Sequence, residues 1–279
     1  MPKRSVKWLL KESKRWVNAE NEALLWATAL SDMQKDPRVV PAVLNRMALW
    51  LEGEAAQRVL AGDPEGWAGL ERATYFLWWH VRAFSRMFEV TGGNKGRLQI
   101  AYPTGCLAMA MSLGLDEVAA WVGERLVRSV ASGDGLCGDW SDRPLEAFLV
   151  RVYSRWGRIE PAEGLPAPGG VFGRLFAGWE DPREVALGLA DICEYRLAEM
   201  DAPNKIAEFF ALFARVFPAE IHAVLSCRRR LGLETPEIAH PLMETPLASV
   251  PLGRPRFDPS SDVVLCRALD VLQAELPGC

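Results

Sequence analysis

Between Leu98 and Gly157 the chain reads LQIAYPTGCLAMAMSLGLDEVAAWVGERLVRSVASGDGLCGDWSDRPLEAFLVRVYSRWG. Apolar residues return there every three or four positions in three successive segments, which is the period of a helix and not of a strand. A polar loop, Ser132 to Arg143, separates the second segment from the third and carries Asp134, Asp139, Trp140 and Asp142. Three apolar helical stripes in a row must be buried against other elements, and where the rest of the chain also has the helical period those elements are helices.

The same period runs through the flanking sequence. Residues Val6 to Asp36 read as helical, with Leu24, Leu25, Ala29, Leu30 and Met33 on one face and Pro37 as the stop. A second helix over Arg38 to Ala61 accepts Pro41 in its first turn, where the missing N–H costs nothing. Asp63-Pro64 is a helix start, and the helix it opens is apolar on nearly every side from Leu70 to Phe88, as expected of a central helix. Gly92-Gly93-Asn94 ends it. The spacing predicts a helix over Arg97–Leu113 that bends or restarts at Pro103 and ends on a left-handed Gly114, then one capped by Asp116. Ser141 or Asp142 should cap the helix begun by Pro144. Residues 158–170, RIEPAEGLPAPGG, cannot be helical throughout and form a candidate subdomain boundary. Further helices are expected from Asp181-Pro182 to Met200, from Lys205 to Val216, and from Pro218 to Gly232.

From Leu233 to Pro259 six prolines make regular structure improbable, yet Leu242, Met243, Leu247, Val250, Leu252 and Phe257 would be costly to leave in water. They should pin the segment onto the helical body before a last helix over Ser260–Leu276. The fold class expected is therefore all-α: an irregular array of antiparallel helix hairpins in one globular body spanning residues 1–279. A proline-rich C-terminal segment should pack on it, with no sheet of consequence.

Charge narrows the function. The net charge is −4 and the pI about 5.6, which argues against direct nucleic-acid binding. The Trp residues fall mostly inside helix-period segments, so most read as interhelix filler, and no basic-aromatic stripe for stacking on single-stranded nucleic acid is evident. The basic N-terminus is followed only by Trp8, Leu9 and Leu10 before charge returns, so no signal peptide is expected. No stretch approaches the roughly 20 apolar residues of a membrane span. A cytoplasmic location without a membrane partner is the expectation. The six cysteines lack a Cys-x-x-Cys spacing and are expected to be reduced.

No catalytic, cofactor or metal-ligating set emerges. His80 follows Trp78-Trp79 in the most apolar helix and reads as a core histidine, the competing reading being a helical enzyme with its site there. His240, before Pro241, suits a hydrogen bond that holds its loop, and Ser112 and Ser226 lack the G-x-S-x-G setting of a hydrolase nucleophile. In the 132–143 loop the conservative reading is caps and Asx-turns. The functional reading is an acidic, Trp-centred edge for a protein partner, made by Asp134, Asp139, Trp140 and Asp142. The run Arg228-Arg229-Arg230 is either a basic counter-patch or a complement to its helix dipole.

The order of motifs carries a resemblance. An aromatic-rich helix precedes AYPTGCLAMAMSLG; then come GDWSDRPL, FLVRVY, HPLMETPL and a terminal helix beginning near DVVL. Over roughly residues 70 to 275 this resembles the all-helical immunity proteins encoded beside bacterial polymorphic toxins, including those of contact-dependent and type VI secretion systems. The resemblance implies a cytosolic protein that binds a cognate toxin effector domain, often a nuclease, and neutralises it by stoichiometric binding, with no turnover and no cofactor. The alternative is a helical-repeat scaffold or chaperone that binds peptides in a groove.

Overall fold

The computed structural model describes residues 6–7, 28–29, 31–33, 35–93, 97–132, 135–199 and 216–275. Most of the expected Val6–Asp36 helix and of the expected Lys205–Val216 helix lies outside them. Ala29 and Met33 are described, and both are helical and fully buried. The described residues are mostly helical, as the apolar period requires.

A one-turn 3-10 helix at Pro37–Val39 leads into α1 (Val40–Leu60), with Pro41 in its first turn. Asp63 starts α2 (Glu65–Val90) by accepting the Glu65 N–H at 2.9 Å. α1 and α2 form a hairpin so close that a Cβ on Gly66 would stand 2.6 Å from the Ala55 carbonyl oxygen.

The central helix is α3 (Ala101–Leu113), not α2 as the apolar run suggested. Its residues are buried on almost every side, and it touches α2, α4 (Asp116–Ser132), α5 (Pro144–Gly157) and α8 (Ala219–Leu231). Ala, Cys, Ser and Met along α3 let several helices approach it, whereas α2 keeps Tyr75, Trp79 and Arg82 only half-buried. The Ser112 hydroxyl lies 2.6 Å from the Ala108 carbonyl and 2.8 Å from that of Ala219, tying α3 to α8. Gly114 closes α3 at φ +62°, as expected.

Local details depart from the expected pattern in several places. Residues 98–99 are not helical: they form β1 (Leu98–Gln99), which pairs in parallel with β2 (Leu136–Cys137). α3 starts only at Ala101, with Pro103 inside its first turn and no restart. Asp116 lies within the first turn of α4 and pairs with Arg230 at 2.8 Å, while the Leu115 carbonyl accepts the first helical N–H. Between α5 and α6 (Gly170–Ala177), residues 159–169 carry no helix or strand but are held down. The Arg151 guanidinium donates to the carbonyls of Leu165 and Pro166 at 2.6 and 2.9 Å, and Leu165 is buried. Asp181 caps α7 (Pro182–Glu199) through the Arg183 N–H at 2.8 Å. α7 joins α8 by a buried pair in which Arg196 Nη1 reaches both Glu220 oxygens, at 2.5 and 2.6 Å.

The proline-rich segment packs on the body as three 3-10 turns, at Pro241–Glu244, Pro246–Ala248 and Pro259–Ser261. Leu242 and Leu247 are fully buried, but Leu252 is 99% exposed, contrary to expectation, because it sits at the tip of a turn. Two neighbours on α2 grip the segment. The buried Glu71 carboxylate accepts from Arg254 Nη2 at 2.9 Å, Arg256 Nε at 2.7 Å and the Phe257 N–H at 3.0 Å. Arg72 pairs with Asp262 at 2.5 Å, and Asp262 caps the last helix, α9 (Val263–Glu275), through the Leu265 N–H. That helix is shorter at its start than the expected Ser260–Leu276.

Removing the Glu71 carboxylate leaves the Arg254 guanidinium buried without its counter-charge. Glu71→Ala should therefore cost about 3–5 kcal/mol in urea unfolding. Residues 249–262 should also become cleavable by protease under native conditions. An unchanged cleavage pattern would show that the apolar anchors alone hold the segment.

Candidate functional site

Loop 135–143 is positioned by its pairing with the chain just before α3. The Leu98 N–H donates to the Gly135 carbonyl at 2.9 Å and the Ile100 N–H to the Cys137 carbonyl at 3.2 Å. Gly135 and Gly138 have φ of +72° and +129°, and a Cβ on Gly138 would meet Ile100 at 3.1 Å, so both turns need glycine. Beyond them a single 3-10 turn, Trp140–Asp142, precedes α5.

The sequence-expected site residues take different roles in this frame. Asp134 lies outside the described residues. Asp139 is exposed and caps the short turn by accepting the Ser141 N–H at 2.9 Å, which holds its carboxyl below the usual carboxylate range. Neither Ser141 nor Asp142 caps α5; that helix begins after Arg143 with no side-chain cap. The turn intervenes, and only Asp139 stands two residues before an N–H it can reach. Asp142 is exposed, so Asp139 and Asp142 form an acidic edge. Trp140 between them is half-buried and packs against the core, giving that edge a rigid apolar base.

Beneath the edge, in the first turn of α5, lies Glu146. It is 2% exposed, its carboxylate is 3.7 Å from the Arg143 guanidinium, and neither oxygen has a hydrogen-bond partner among the described residues. Burial raises its pKa above the ordinary carboxylate value.

The arginine run does not make a counter-patch. Arg228 is fully buried, donating from Nε to the Glu234 carbonyl at 2.7 Å and from Nη1 to that of Trp179. Arg230 lies 3.9 Å from the Trp156 ring centroid and pairs with Asp116. Arg229 alone of the three faces solvent without an ion pair among the described residues.

A basic-aromatic cluster that the sequence reading did not find lies where α2 meets α4. The Arg82 guanidinium carbon stands 4.3 Å from the Trp79 ring centroid, 5.1 Å from Trp78 and 5.6 Å from Trp121. Tyr75 continues the cluster at 5.8 Å from Trp78 and from Phe257 of the proline-rich segment. Tyr75, Trp78, Trp79 and Arg82 fall at positions i, i+3, i+4 and i+7 of one helix, a spacing that places them on one face. That signal was present in the sequence; the contribution of Trp121, from another helix, was not.

The three histidines are buried, and each makes at least one hydrogen bond. His80 is buried, donates from Nδ1 to the Pro41 carbonyl at 2.7 Å and packs edge-on against Phe84 and Tyr102. His222 is buried, stacks on Phe217 and hydrogen-bonds the Leu247 carbonyl at 2.8 Å through Nε2. His240 Nδ1 accepts the Leu242 N–H at 3.1 Å, so its Nε2 carries the proton facing Glu194. Burial pushes the thiols of Cys106, Cys193 and Cys227 up, the opposite of what an activated nucleophile needs. Among the described residues no three His, Cys, Asp or Glu side chains gather as a metal site, and no helix is long and apolar enough to cross a membrane.

Burial lowers the pKa values of His80 and His222 from the ordinary 6.5 to about 4. Between those limits the unfolded chain binds protons that the folded chain refuses, so stability falls as pH drops from 6.5 to 4. Each ring accounts for a loss on the order of 3 kcal/mol across that window. Glu146, raised in the fold, pulls the other way, so the comparison must be with a variant. His80→Gln should lessen the acid loss seen in urea titrations at pH 7, 6, 5 and 4.5; parallel curves for the two proteins would contradict this.

Comparison of the chain with protein-family models, with curated proteins and with solved structures finds no match.

Proposed function

We propose that this chain is an immunity protein that neutralises a cognate secreted bacterial toxin by stoichiometric binding. The observation that carries the reading is the edge at 139–142: two exposed carboxylates flank a Trp whose ring is seated on the core. A pre-seated aromatic contributes contact area with little ordering cost, and flanking charges steer a basic partner to it. The motif GDWSDRPL that holds this edge is also one of those on which the family resemblance rests. Inhibition in this reading is by contact, through occlusion or distortion of the toxin's active site, and no bond is made or broken.

The test is purification of the chain with the toxin domain encoded by the neighbouring gene. A 1:1 complex that abolishes the toxin's activity supports the reading; no complex, or a neighbour that is not a toxin, sinks it. Asp139→Asn with Asp142→Asn removes the charge while an Asn at 139 can still cap the turn. This pair should slow association and flatten its dependence on salt, as read by stopped flow. Trp140→Ala should weaken the complex by about 2 kcal/mol or more. Because Trp140 also packs on the core, its thermal melt must be read beside its affinity.

A further inference from the structure

Among the described arginines that are not exposed, Arg82 is the one whose guanidinium has no polar partner. It is half-buried, stacked within cation–π range of Trp78, Trp79 and Trp121, and has no hydrogen bond or ion pair among the described residues. The arginines beside it are engaged: Arg86 and Arg125 both reach Glu89, at 3.1 and 3.8 Å. Glu117 acts on the Tyr75 hydroxyl, raising its pKa after the larger effect of burial, but makes no bond to Arg82. Beneath Arg82 the Trp78 indole, 7% exposed, keeps its N–H without an acceptor among the described residues. The cluster thus holds a surplus of donors and lacks an acceptor.

Stacking occupies the faces of a guanidinium and leaves its N–H groups at the edge of the plane, where they fit the two oxygens of a carboxylate. Rings on α2 and α4 already surround Arg82 at 4.3 to 5.6 Å, so a bound acceptor meets a guanidinium that is held in place. Half-buried Trp79 and Trp121 offer apolar surface beside it. Trp, Tyr and Arg together are the composition of interface hot spots.

We infer that the Arg82–Trp79–Trp121 cluster is a second binding site, which takes an Asp or Glu carboxylate of a protein partner together with the apolar residues next to it. The missing component is an acceptor of opposite charge, and one half-buried guanidinium in a chain of net charge −4 suits one carboxylate better than a run of phosphates. The site goes beyond the toxin reading and holds for any folded partner that offers this chemistry.

The test uses the full chain labelled with 5-fluorotryptophan, with the Trp79 and Trp121 resonances identified from Trp79→Phe and Trp121→Phe. Three probes are titrated: a capped peptide with one Glu between two Leu residues, the same peptide with Gln, and an oligothymidylate of twelve nucleotides. The Glu peptide should shift both resonances saturably and bind roughly tenfold more tightly than the Gln peptide. Arg82→Gln should erase that preference while keeping the thermal melt of the parent. Arg82→Lys, with charge but no planar fork, should keep only part of it. Equal affinity for the two peptides, no shift at Trp79 and Trp121, or a preference that survives Arg82→Gln would each overturn the inference. Tighter binding of the oligothymidylate would overturn it in favour of a nucleic-acid site. None of these outcomes depends on the neighbouring gene, so failure of the toxin reading and failure of this site are told apart.

Discussion

One buried carboxylate sets how the two ends of the described chain meet. Glu71 sits in the middle of α2 at 1% exposure and is tolerated there only because Arg254, Arg256 and the Phe257 N–H satisfy it. Desolvating a charge costs several kcal/mol, so the net contribution of such a group to stability is small even when its partners are good. Its consequence is positional. With Arg72 holding Asp262 one residue on, the path of the proline-rich segment and the start of α9 are both referred to α2. Leu242 and Leu247 supply apolar burial, which is non-directional; the carboxylate supplies the register that burial cannot.

That register reaches the surface. Fixing Phe257 by its backbone N–H places its ring against Tyr75, and Tyr75 in turn packs on Trp78 under Arg82. A polar contact near the core thereby closes one side of an aromatic cluster assembled from α2, α4 and the C-terminal segment. The Arg196–Glu220 pair does comparable work between α7 and α8 but is fully buried, and its oxygens face only protein. The Glu71 contact leads outward, through Phe257 and Tyr75, to half-buried residues.

Features decided by local backbone chemistry were legible in the sequence. Asp63 and Asp181 before proline start helices because a short carboxylate reaches an N–H two residues on, and Gly114 and Gly232 end them in the left-handed region. What depended on distant partners was not. The apolar run of α2 was as long as that of a central helix, but α3 took the centre because its small residues admit neighbours on every side. Residues 98–99 follow the helix period yet pair with 136–137, a partner more than thirty residues away. Arg228 reads as surface charge beside Arg229 and Arg230, and only the carbonyls of Trp179 and Glu234 explain its burial. In the loop, Ser141 or Asp142 was expected to cap α5 and Asp139 to make an Asx-turn; the inserted 3-10 turn leaves α5 without a side-chain cap, while Asp139 does accept the Ser141 N–H two residues on. Leu252 belonged by type with Leu242 and Leu247, but the turn at 252–253 lifts it into solvent.

The two candidate surfaces are not remote from one another. α2 and α4 run side by side with Tyr75 near Glu117, Trp78 and Arg82 near Trp121, and Glu89 near Arg125, so successive pairs advance along one seam. The base of the acidic loop rests on the far end of that seam: a Cβ on Gly135 would stand 2.9 Å from the Arg125 guanidinium and 3.4 Å from the Phe88 ring. From Arg82 to Phe88 is six residues of helix, about 9 Å at 1.5 Å per residue. An ordinary protein interface covers roughly 800 Å2 on each partner, wider than that separation. A single folded partner that met both the Arg82 cluster and the 139–142 edge would have to reach along this seam and past its far end. It would need to present an acidic group to Arg82 and basic groups to the edge, and that demand is more selective than either patch is alone.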